Sequence, residues 1–456
     1  MKKLFGIILT VLVVTFLVLC GCAQPAAPAP GTTPTPAPTG PAEILIGVCG
    51  PLTGVHAGFG EGNIYGEKAA AEDINKQGGI YIAEYGRKLP VKLLVVDNES
   101  DPAKAMSLEE SLVTQSKVNF LLPPNQPIPL QIPSATIAER YKVARVSGGT
   151  PMEAWLAVRG ESSPMWDHSF TYTFSIATPA PKGSYWDKPG YTCMDTWLGI
   201  LGTVGDKFNK KIGVFASDEP DGRSWYDAIP GVLAQAGYDP VGVDKKLGLF
   251  PMETTDFSSI ITQWKEDKVE VLWGNCPAPV FGVMWRQARP MGFEPKMVIA
   301  TRAGLYYEDV SAWGGDLPLG ISGEAWWSSA FDPKKCPGIG GTTPMSLADR
   351  WMKDTGRPVN PGIGWGYNGM QILADAIERA GSLDSEKVCA ALSKTDMPTI
   401  SSPQVMFDEN HSAQLPVFFN QWFKTDKPWV WESKVVVSYH DFLPAEAELM
   451  FPIPYE

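Results

Sequence analysis

Short apolar runs alternate with longer helical patterns in the part of the chain that follows residue 42. Residues 43–48 (EILIGV) and 91–96 (VKLLVV) have the length and branched side chains of buried strands, whereas residues 66–76 (GEKAAAEDINK) predict a helix that ends before two glycines. Further strands are predicted over residues 118–122 and 143–146, and further helices over residues 103–117 and 132–141. This alternation predicts a parallel sheet with helices on both faces.

A second series of the same kind starts near Tyr191. It comprises predicted helices over residues 193–208, 224–236, 257–266 and 280–288, and predicted strands over residues 211–216, 240–243, 269–273 and 297–300; a later helix is predicted over residues 366–380. Residues 159–190, rich in Pro, Gly and Trp, are interpreted as a connection between the two series. Two α/β lobes joined in this way form a cleft at the carboxyl ends of their strands, where ligands usually bind.

The first 42 residues follow a different pattern. A basic start is followed by an almost wholly apolar stretch over residues 4–19, which as a helix spans about 24 Å and is shorter than a bilayer core requires. We therefore predict a signal peptide over residues 1–21. The Leu-Cys-Gly-Cys sequence that ends the stretch resembles the bacterial lipobox, and Cys22, preceded by Gly21, is the predicted lipidation site. A cleaved, unlipidated secreted protein is the alternative.

The remaining N-terminal residues, 22–42, consist almost entirely of Ala, Pro, Thr and Gly. Such a segment cannot bury a core and favours extended conformations, so we interpret it as a tether. The expected location of the body is outside the cytoplasm, held at the cell membrane by a lipid anchor. This body faces the periplasm or the cell exterior.

Composition narrows the classes of partner. The net charge of −12 argues against nucleic acid or anionic lipid as a ligand. Besides Cys20 and Cys22, five cysteines are dispersed along the chain without a C-x-x-C pair, so neither a disulfide framework nor a zinc site is indicated, and we predict no cofactor and no metal. The 16 tryptophans exceed ordinary usage; core packing explains most of them, and the excess also favours a small-molecule site.

Several motifs then occur in an order that resembles one family. Residues 46–54 (IGVCGPLTG), 58–60 (GFG), 69–80 (AAAEDINKQGGI) and 407–410 (FDEN) are similar to segments of branched-chain amino-acid-type substrate-binding proteins of ABC transporters. The resemblance extends over residues 43–425. It implies an α/β, type I periplasmic-binding-protein fold, in which two doubly wound lobes are joined by three crossover segments.

The resemblance also implies an organisation and a function. The expected parts are lobe 1 over residues 43–176 and 329–405, and lobe 2 over residues 177–328 and 406–456, the latter including a C-terminal extension. Such a protein, expected to be a monomer, captures a small amino acid or organic acid between its lobes and delivers it to ABC permease subunits in the membrane. It has no catalytic residues, and no nucleic acid is involved.

Site residues of the first lobe follow from the resemblance position by position. Phe59 occupies the place of a residue that lies against the ligand. Asn125 and Gln126 replace a serine-rich turn that holds the ligand carboxylate in relatives. Gly149 and Thr150 belong to a loop whose N–H groups and hydroxyl could hold an anion. The alternatives are core packing for Phe59 and helix capping for Thr150.

The second lobe contributes Asp221, Trp273, Asn275 and Arg302. Relatives that bind amino acids tend to place an acid where this chain has Arg302. Because an ammonium group 4 Å from a guanidinium is disfavoured by about 4 kcal/mol, a carboxylate-bearing or aromatic solute is expected. Alternatively, Trp273 packs in the core, Asp221 is a turn residue, and Arg302 forms a surface ion pair with Glu308 or Asp309, residues that follow it in the sequence.

Two other functions remain open at this stage. A ligand-sensing module that is not coupled to transport would use the same fold and anchor. A secreted enzyme is the second alternative, but residues 58–62 (GFGEG) lack the remaining residues of a phosphate-binding loop, and the four histidines lie far apart in the sequence.

Overall fold

Strand and helix alternate from residue 44 onward, as the sequence pattern predicts. The computed structural model describes residues 40–162 and 165–455. The first elements are β1 (Ile44–Gly50), α1 (Ala57–Lys76), β2 (Ile80–Ile82), β3 (Arg87–Leu89), β4 (Val91–Asp97), α2 (Pro102–Thr114), β5 (Phe120–Leu121), α3 (Ile128–Tyr141), β6 (Arg145–Pro151), α4 (Met152–Glu161) and β7 (Ser169–Phe174). Side-chain chemistry fixes the helix ends locally: Asp101 caps α2 by accepting bonds from the N–H groups of Ala103 and Lys104.

The second series of elements has the same alternation. It comprises α5 (Cys193–Val204), β8 (Lys211–Ser217), α6 (Pro220–Gln235), β9 (Asp239–Val241), β10 (Leu249–Phe250), α7 (Ser258–Glu266), β11 (Val271–Asn275), α8 (Ala278–Ala288), β12 (Met297–Thr301), α9 (Tyr307–Ser311) and β13 (Ile321–Ala325). The chain then continues through α10 (Pro344–Thr355), α11 (Gly362–Ala380), α12 (Ser385–Leu392), β14 (Asp396–Thr399), β15 (Ser402–Met406), β16 (Ser412–Gln414), β17 (Phe418–Lys424) and β18 (Trp431–Val437).

Two sheets organise these elements into two lobes. In the described residues, the sheet of lobe 1 has the order β16-β7-β6-β5-β1-β4 and is parallel throughout. The sheet of lobe 2 has the order β10-β8-β11-β12-β13-β17-β18, with β9 beside β8, and among these described strands only β17 runs opposite to the rest, antiparallel to both β13 and β18. The predicted doubly wound α/β architecture of two lobes is confirmed.

Three segments connect the lobes, at residues 175–192, 326–343 and 415–417. The third lies later than the expected boundary after residue 405. The reason is that β16 still pairs with β7 of lobe 1, for example through Ser412 and Thr171. Residues 159–190 are likewise not simply a connection, because they contain β7, a fully buried strand of aromatic and hydroxyl side chains.

The N-terminal predictions lie almost entirely outside the described residues. The signal peptide over residues 1–21, Cys22 and all but residues 40–42 of the tether are in this position. No helix within residues 40–162 and 165–455 is both long and apolar enough to cross a membrane.

A histidine ties three elements of lobe 1 together. The ring of His168, buried just before β7, lies 2.8 Å from Glu139 of α3 through Nδ1 and 3.1 Å from Glu386 of α12 through Nε2. Burial acts against the charged imidazolium, but the two carboxylates outweigh it and raise the pKa of His168. Protonation of His168 therefore stabilises the folded protein.

The raised pKa predicts a pH-dependent stability. The contribution of His168 is complete below its ordinary pKa and is lost as the pH rises through the raised value, because the neutral ring no longer attracts both carboxylates. We expect the stability of wild type relative to His168→Gln to fall by about 2 kcal/mol as the pH rises from about 6 through the raised pKa of His168, in urea titrations of both proteins. Parallel stability curves for the two proteins would contradict this interpretation.

Candidate ligand-binding cleft

A cavity lies between the lobes, at the carboxyl ends of their central strands. It encloses about 570 Å³ of empty space, part of which is open to solvent. Both lobes line it, with Phe59, Pro127, Ile128, Gly149, Pro151, Phe174, Ile176, Trp197, Asp221, Trp225, Asn275, Thr301, Arg302, Leu305, Glu324 and Trp326. These residues lie at the carboxyl ends of strands, in the loops that follow them or in the first two turns of the next helices, as expected for an α/β fold.

Aromatic rings form much of the cavity wall. The lining rings are Phe59, Phe174, Trp197, Trp225 and Trp326. Phe174 of lobe 1 stacks on Trp326, with ring centroids 4.5 Å apart and planes 20° apart. These flat surfaces favour a solute with an aromatic or large apolar body, because ring contacts stabilise such groups and exclude water.

Trp273 supports this wall from behind. Its fully buried ring packs edge-on against Trp197 and Trp225, with centroid distances of 5.2 and 5.6 Å. The prediction of Trp273 as a lining residue is therefore corrected: its side chain points into the core of lobe 2, and the two lining tryptophans lie between it and the cavity.

Arg302 is held by an ion-pair cluster in the lobe 2 wall. Its Nη1 lies 2.9 Å from Asp221 Oδ2, and its Nη2 lies 2.8 Å from Glu219 Oε1 and 3.1 Å from Ser217 Oγ. The guanidinium is 9% exposed, and the residue has a φ of 61°, in the left-handed region that costs a side chain energy. The alternative pairing of Arg302 with Glu308 or Asp309 is not the one observed.

The start of helix α6 explains the position of these carboxylates. Glu219 is the N-cap residue, and its side chain accepts bonds from the N–H groups of Asp221 and Gly222. Burial opposes ionisation of Glu219, but the neighbouring Arg302 and these donors lower its pKa. Burial raises the pKa of Asp221, and Arg302 counteracts this effect. The Arg302 cluster (Arg302, Glu219 and Asp221) thus places two carboxyl groups beside one guanidinium.

A further acid, Glu324, lines the cavity from β13. Its carboxylate accepts a bond from Trp197 Nε1 at 3.3 Å, and burial raises its pKa to about 7. His56 lies near the Arg302 cluster, and its pKa is lowered to about 4 by burial and by the positive charge of Arg302. His56 is therefore neutral at pH 7, and Arg302 is the only positively charged residue among the described lining residues.

Several polar atoms around the cavity are buried without a hydrogen-bond partner in the described structure. They include Nε1 of Trp225, Nε1 of Trp326, Nε of Arg302 and Oδ1 of Asn275. Buried polar groups are nearly always paired in folded proteins. These three donors and one acceptor belong to residues that line the cavity.

Five residues predicted from the sequence line this cavity: Phe59, Gly149, Asp221, Asn275 and Arg302.

Besides Trp273, three other predicted residues do not line the cavity. Asn125 is buried behind Gly149, where a Cβ on the glycine would overlap the amide. Gln126 bonds the Leu130 carbonyl (3.2 Å) and Asn98 (3.0 Å) within lobe 1. The buried Thr150 accepts a bond from the Thr173 hydroxyl through its carbonyl, and its own hydroxyl does not line the cavity.

Sequence reasoning missed Phe174, Trp197, Trp225, Glu324 and Trp326. The tryptophan excess was the available signal, but composition does not say which rings line a cavity. Glu324 and Trp326 lie in and directly after β13, a strand that was not among the predicted elements. Recognising the apolar run before them would have placed both at the carboxyl end of a strand.

The lobes also meet at the rim of the cleft. Arg357 of lobe 1 forms ion pairs with Glu61 of the same lobe and with Glu308 of lobe 2, the latter at 2.8 Å. The rings of Phe59 and Tyr306 touch edge to face across the gap, with centroids 5.1 Å apart. These contacts define a closed arrangement of the two lobes.

We expect Arg357→Ala to favour an open arrangement. The variant removes the ion pair that joins the lobes, but both partners are partly exposed, so the expected effect is about 1 kcal/mol, or a fivefold change in the ratio of closed to open protein. Small-angle scattering of the unliganded protein should show a larger radius of gyration. Arg223→Ala is the matched control, because its ion pair with Asp218 lies within lobe 2; equal changes in both variants would refute a specific role for Arg357.

Comparisons with known proteins agree with this geometry. A family model described as "Periplasmic binding protein" matches residues 43–427. The amino acid binding protein of Pseudomonas aeruginosa is 25% identical over 362 residues, covering 79% of this chain and 84% of that protein. The leucine-, isoleucine-, valine-, threonine-, and alanine-binding protein of the same organism is 22% identical over 375 residues, covering 80% and 86%.

Solved structures show the same fold. A solute binding protein of an ABC transporter from Rhodopseudomonas palustris BisB5, in complex with 3,4-dihydroxy benzoic acid, has a TM-score of 0.65 at 17% identity and covers 89% of this chain and 99% of its own. The substrate binding protein LivJ from Streptococcus pneumoniae, in complex with isoleucine, has a TM-score of 0.63 at 19% identity and covers 87% and 99%. The expected type I fold is confirmed.

Proposed function

This chain belongs to the periplasmic binding protein family, and on that premise we propose that it captures a small amino acid or organic acid between its lobes and delivers it to an ABC importer. The observation that carries the proposal is the interlobe cavity of about 570 Å³, walled by five aromatic rings and bordered by the Arg302 cluster. Relatives named for amino acids, and neighbours solved with isoleucine or a dihydroxybenzoic acid, support this class of solute.

The charges around the cleft narrow the class of solute further. Arg302 alone would favour a carboxylate, but Glu219 and Asp221 already balance its charge, and Glu324 adds a third acid. A positively charged group near these acids would be stabilised, whereas a simple organic anion would be repelled. We therefore favour an amino acid with an aromatic or large apolar side chain over a simple organic acid.

A panel of solutes tests the proposal directly. A ligand present at 100 times its Kd adds about 2.7 kcal/mol to stability, which is readily detected as a shift in Tm. The panel pairs each aromatic or branched amino acid with the acid that lacks its amino group and with the amine that lacks its carboxylate. A stabilising hit supports the binding function, and stabilisation by the acid alone would reverse the proposed preference; no shift with any member of a broad panel would count against the function.

A variant separates binding in the cleft from binding elsewhere. Trp326→Ala removes a lining ring that stacks on Phe174, so it should weaken the best hit about tenfold or more. Trp429→Ala is the matched control, because Trp429 lies half-buried between β17 and β18 of lobe 2 and does not line the cavity. Equal affinities in wild type and Trp326→Ala would place the solute outside this cleft.

Transport, sensing and catalysis predict different outcomes for cellular uptake of the solute and for its chemical state after incubation with the protein. An importer subunit should be required for cellular uptake of the hit, whereas a sensing module would leave uptake unchanged when its gene is deleted. An enzyme would return a chemically altered solute after incubation, which mass spectrometry would detect. Recovery of unaltered solute together with loss of uptake would support the transport proposal.

Membrane anchoring through Cys22 is part of the proposal. The predicted lipid on this residue would hold the protein at the outer face of the cell membrane while the tether gives the body reach. Mass spectrometry of the mature N-terminus should find an acylated Cys22, and Cys22→Ala should move the protein to the soluble fraction. An unmodified N-terminus after cleavage would support the secreted alternative.

A further inference from the structure

The C-terminal segment at residues 439–443, which we call the hinge brace, lies against all three connections between the lobes. It follows β18 and lies beyond residue 427, where the match to the family model ends. In a two-lobed protein, the connections are the places where the backbone must change conformation when the lobes open or close. A segment packed on every connection is therefore placed to affect that change.

The first and third connections meet the brace through His440. Its Nε2 lies 3.1 Å from the carbonyl oxygen of Val417 in the third connection, and its ring packs edge-on against Tyr191 of the first, with centroids 5.1 Å apart. Gly190 has a φ of 92°, and a Cβ there would come within 2.8 Å of the histidine ring. The Gly190 carbonyl also accepts a bond from the Val417 N–H at 2.7 Å, so these three segments form one packed unit.

The second connection meets the brace through Phe442. The carbonyl of Phe442 accepts a bond from the Asp332 N–H at 2.9 Å, and its ring packs against Phe331 with centroids 5.5 Å apart. The rings of His440 and Phe442 also stack on each other, with centroids 4.9 Å apart. One pair of stacked rings thus joins contacts to all three connections.

The brace itself is fixed to lobe 2 on both sides. Before it, β18 pairs with β17 in the lobe 2 sheet. After it, the N–H of Glu446 bonds the Val435 carbonyl at 2.8 Å, and the N–H of Met450 bonds the side chain of Gln421 at 2.7 Å. The brace therefore moves with lobe 2, while the connections that it touches must bend.

We propose that the hinge brace biases the equilibrium between open and closed lobes towards the closed arrangement. Its rings and hydrogen bonds contact the connections in the closed arrangement. In this arrangement, Arg357 and Glu308 join the two lobes at the rim of the cleft. Packed interfaces of this kind have discrete arrangements and are not continuously deformable. Bending the connections breaks part of this fit, so the brace opposes opening even without a solute.

The distance between the lobes in the unliganded protein tests this proposal. One spin label is placed on each lobe of the full chain carrying Cys22→Ala, through Glu72→Cys in α1 and Glu266→Cys in α7. Both positions are exposed, and the distance between the two labels reports the separation of the lobes. The five cysteines of the described residues are buried, and the background without the added pair reports any labelling elsewhere. Pulsed electron resonance then gives the fractions of short and long distances.

Phe442→Ala removes the ring that contacts the second connection, and we expect it to increase the ratio of long to short distances about threefold to tenfold. Ile453→Ala is the matched control, because Ile453 belongs to the same extension but packs on Gly320 and the Lys296 carbonyl, away from the connections. It should lose stability without changing the distances. An unchanged distribution in Phe442→Ala, or an equal shift in the control, would overturn the proposal.

A milder variant keeps the test valid if Phe442→Ala does not fold. His440→Gln removes the ring that stacks on Phe442 and weakens the contact to Val417, so it should shift the distribution in the same direction, about twofold. No shift in this variant would overturn the proposal. Since no solute is needed, a negative result here is distinct from a failure of the proposed binding function.

Discussion

Replacing Arg302 with methionine is expected to lower the free energy of unfolding by about 3 kcal/mol at pH 7. The substitution leaves Glu219 and Asp221 close together with no cation, and breaking a buried ion pair on one side usually costs 3–5 kcal/mol. The lower end applies because both carboxylates are about one quarter exposed or less, at 21% and 26%. Denaturant titrations of wild type and variant measure the loss.

The pH dependence gives this prediction a specific signature. The pKa of Glu219 is lowered in the folded protein, so its contribution is present above its ordinary pKa and is lost as the pH falls through the folded value. The difference between wild type and Arg302→Met should therefore shrink at about pH 4 and below. Arg302→Lys, which keeps the charge but not the two-sided geometry, should be intermediate. A loss below about 1 kcal/mol that does not vary with pH would contradict the assigned role of the cluster.

A second large effect is expected from Gly66→Ala in lobe 1. Helices α1 and α11 pack so closely that a Cβ on Gly66 would overlap the carbonyl of Ile363 and lie 2.8 Å from the nitrogen of Tyr367. Gly366 on the facing helix is in the same position against the carbonyl of Asn63. Because these obstacles are backbone atoms, the helices must separate, and we expect a loss of about 3 kcal/mol or more.

Gly202→Ala is the matched control for this contact. Gly202 lies in helix α5 with no atom within 4 Å of its added Cβ, so alanine should stabilise the protein by about 0.5–1 kcal/mol through helix propensity. Opposite signs for the two glycine variants are therefore predicted in thermal unfolding. Two variants of similar stability would show that the close helix contact is not required.

The fold was largely predictable because buried strands and helices leave a simple pattern of apolar residues in the sequence. The apolar runs that became β1 and β4 were found within two residues of their ends. Helix α1 was different: it was expected from residue 66 but begins at Ala57. Its first turns contain Gly58, Gly60 and Gly62, which disfavour a helix locally, yet a Cβ on Gly60 would overlap the Pro51 carbonyl. Tertiary contacts override local propensity there.

The site was less predictable because its chemistry depends on pairs that are distant in sequence. Arg302 and Asp221 could each be placed near the cleft, but nothing in the sequence showed that they bond each other across 81 positions. That pairing is the reason why we propose an amino acid, whereas the sequence alone favoured a carboxylate-bearing or aromatic solute. In the same way, Trp273 and Trp225 look alike in the sequence, and only packing shows that Trp225 lines the cavity while Trp273 supports it.

A crystal structure of the complex with the most stabilising solute of the panel is the most direct measurement of the central claim. We predict that the solute lies between the lobes, with its apolar part against Phe59, Trp225 or Trp326 and a polar group within hydrogen-bond distance of Asp221, Glu324 or Asn275. A solute bound on the outer surface of one lobe, or an interlobe cavity without solute at saturating concentration, would contradict the account.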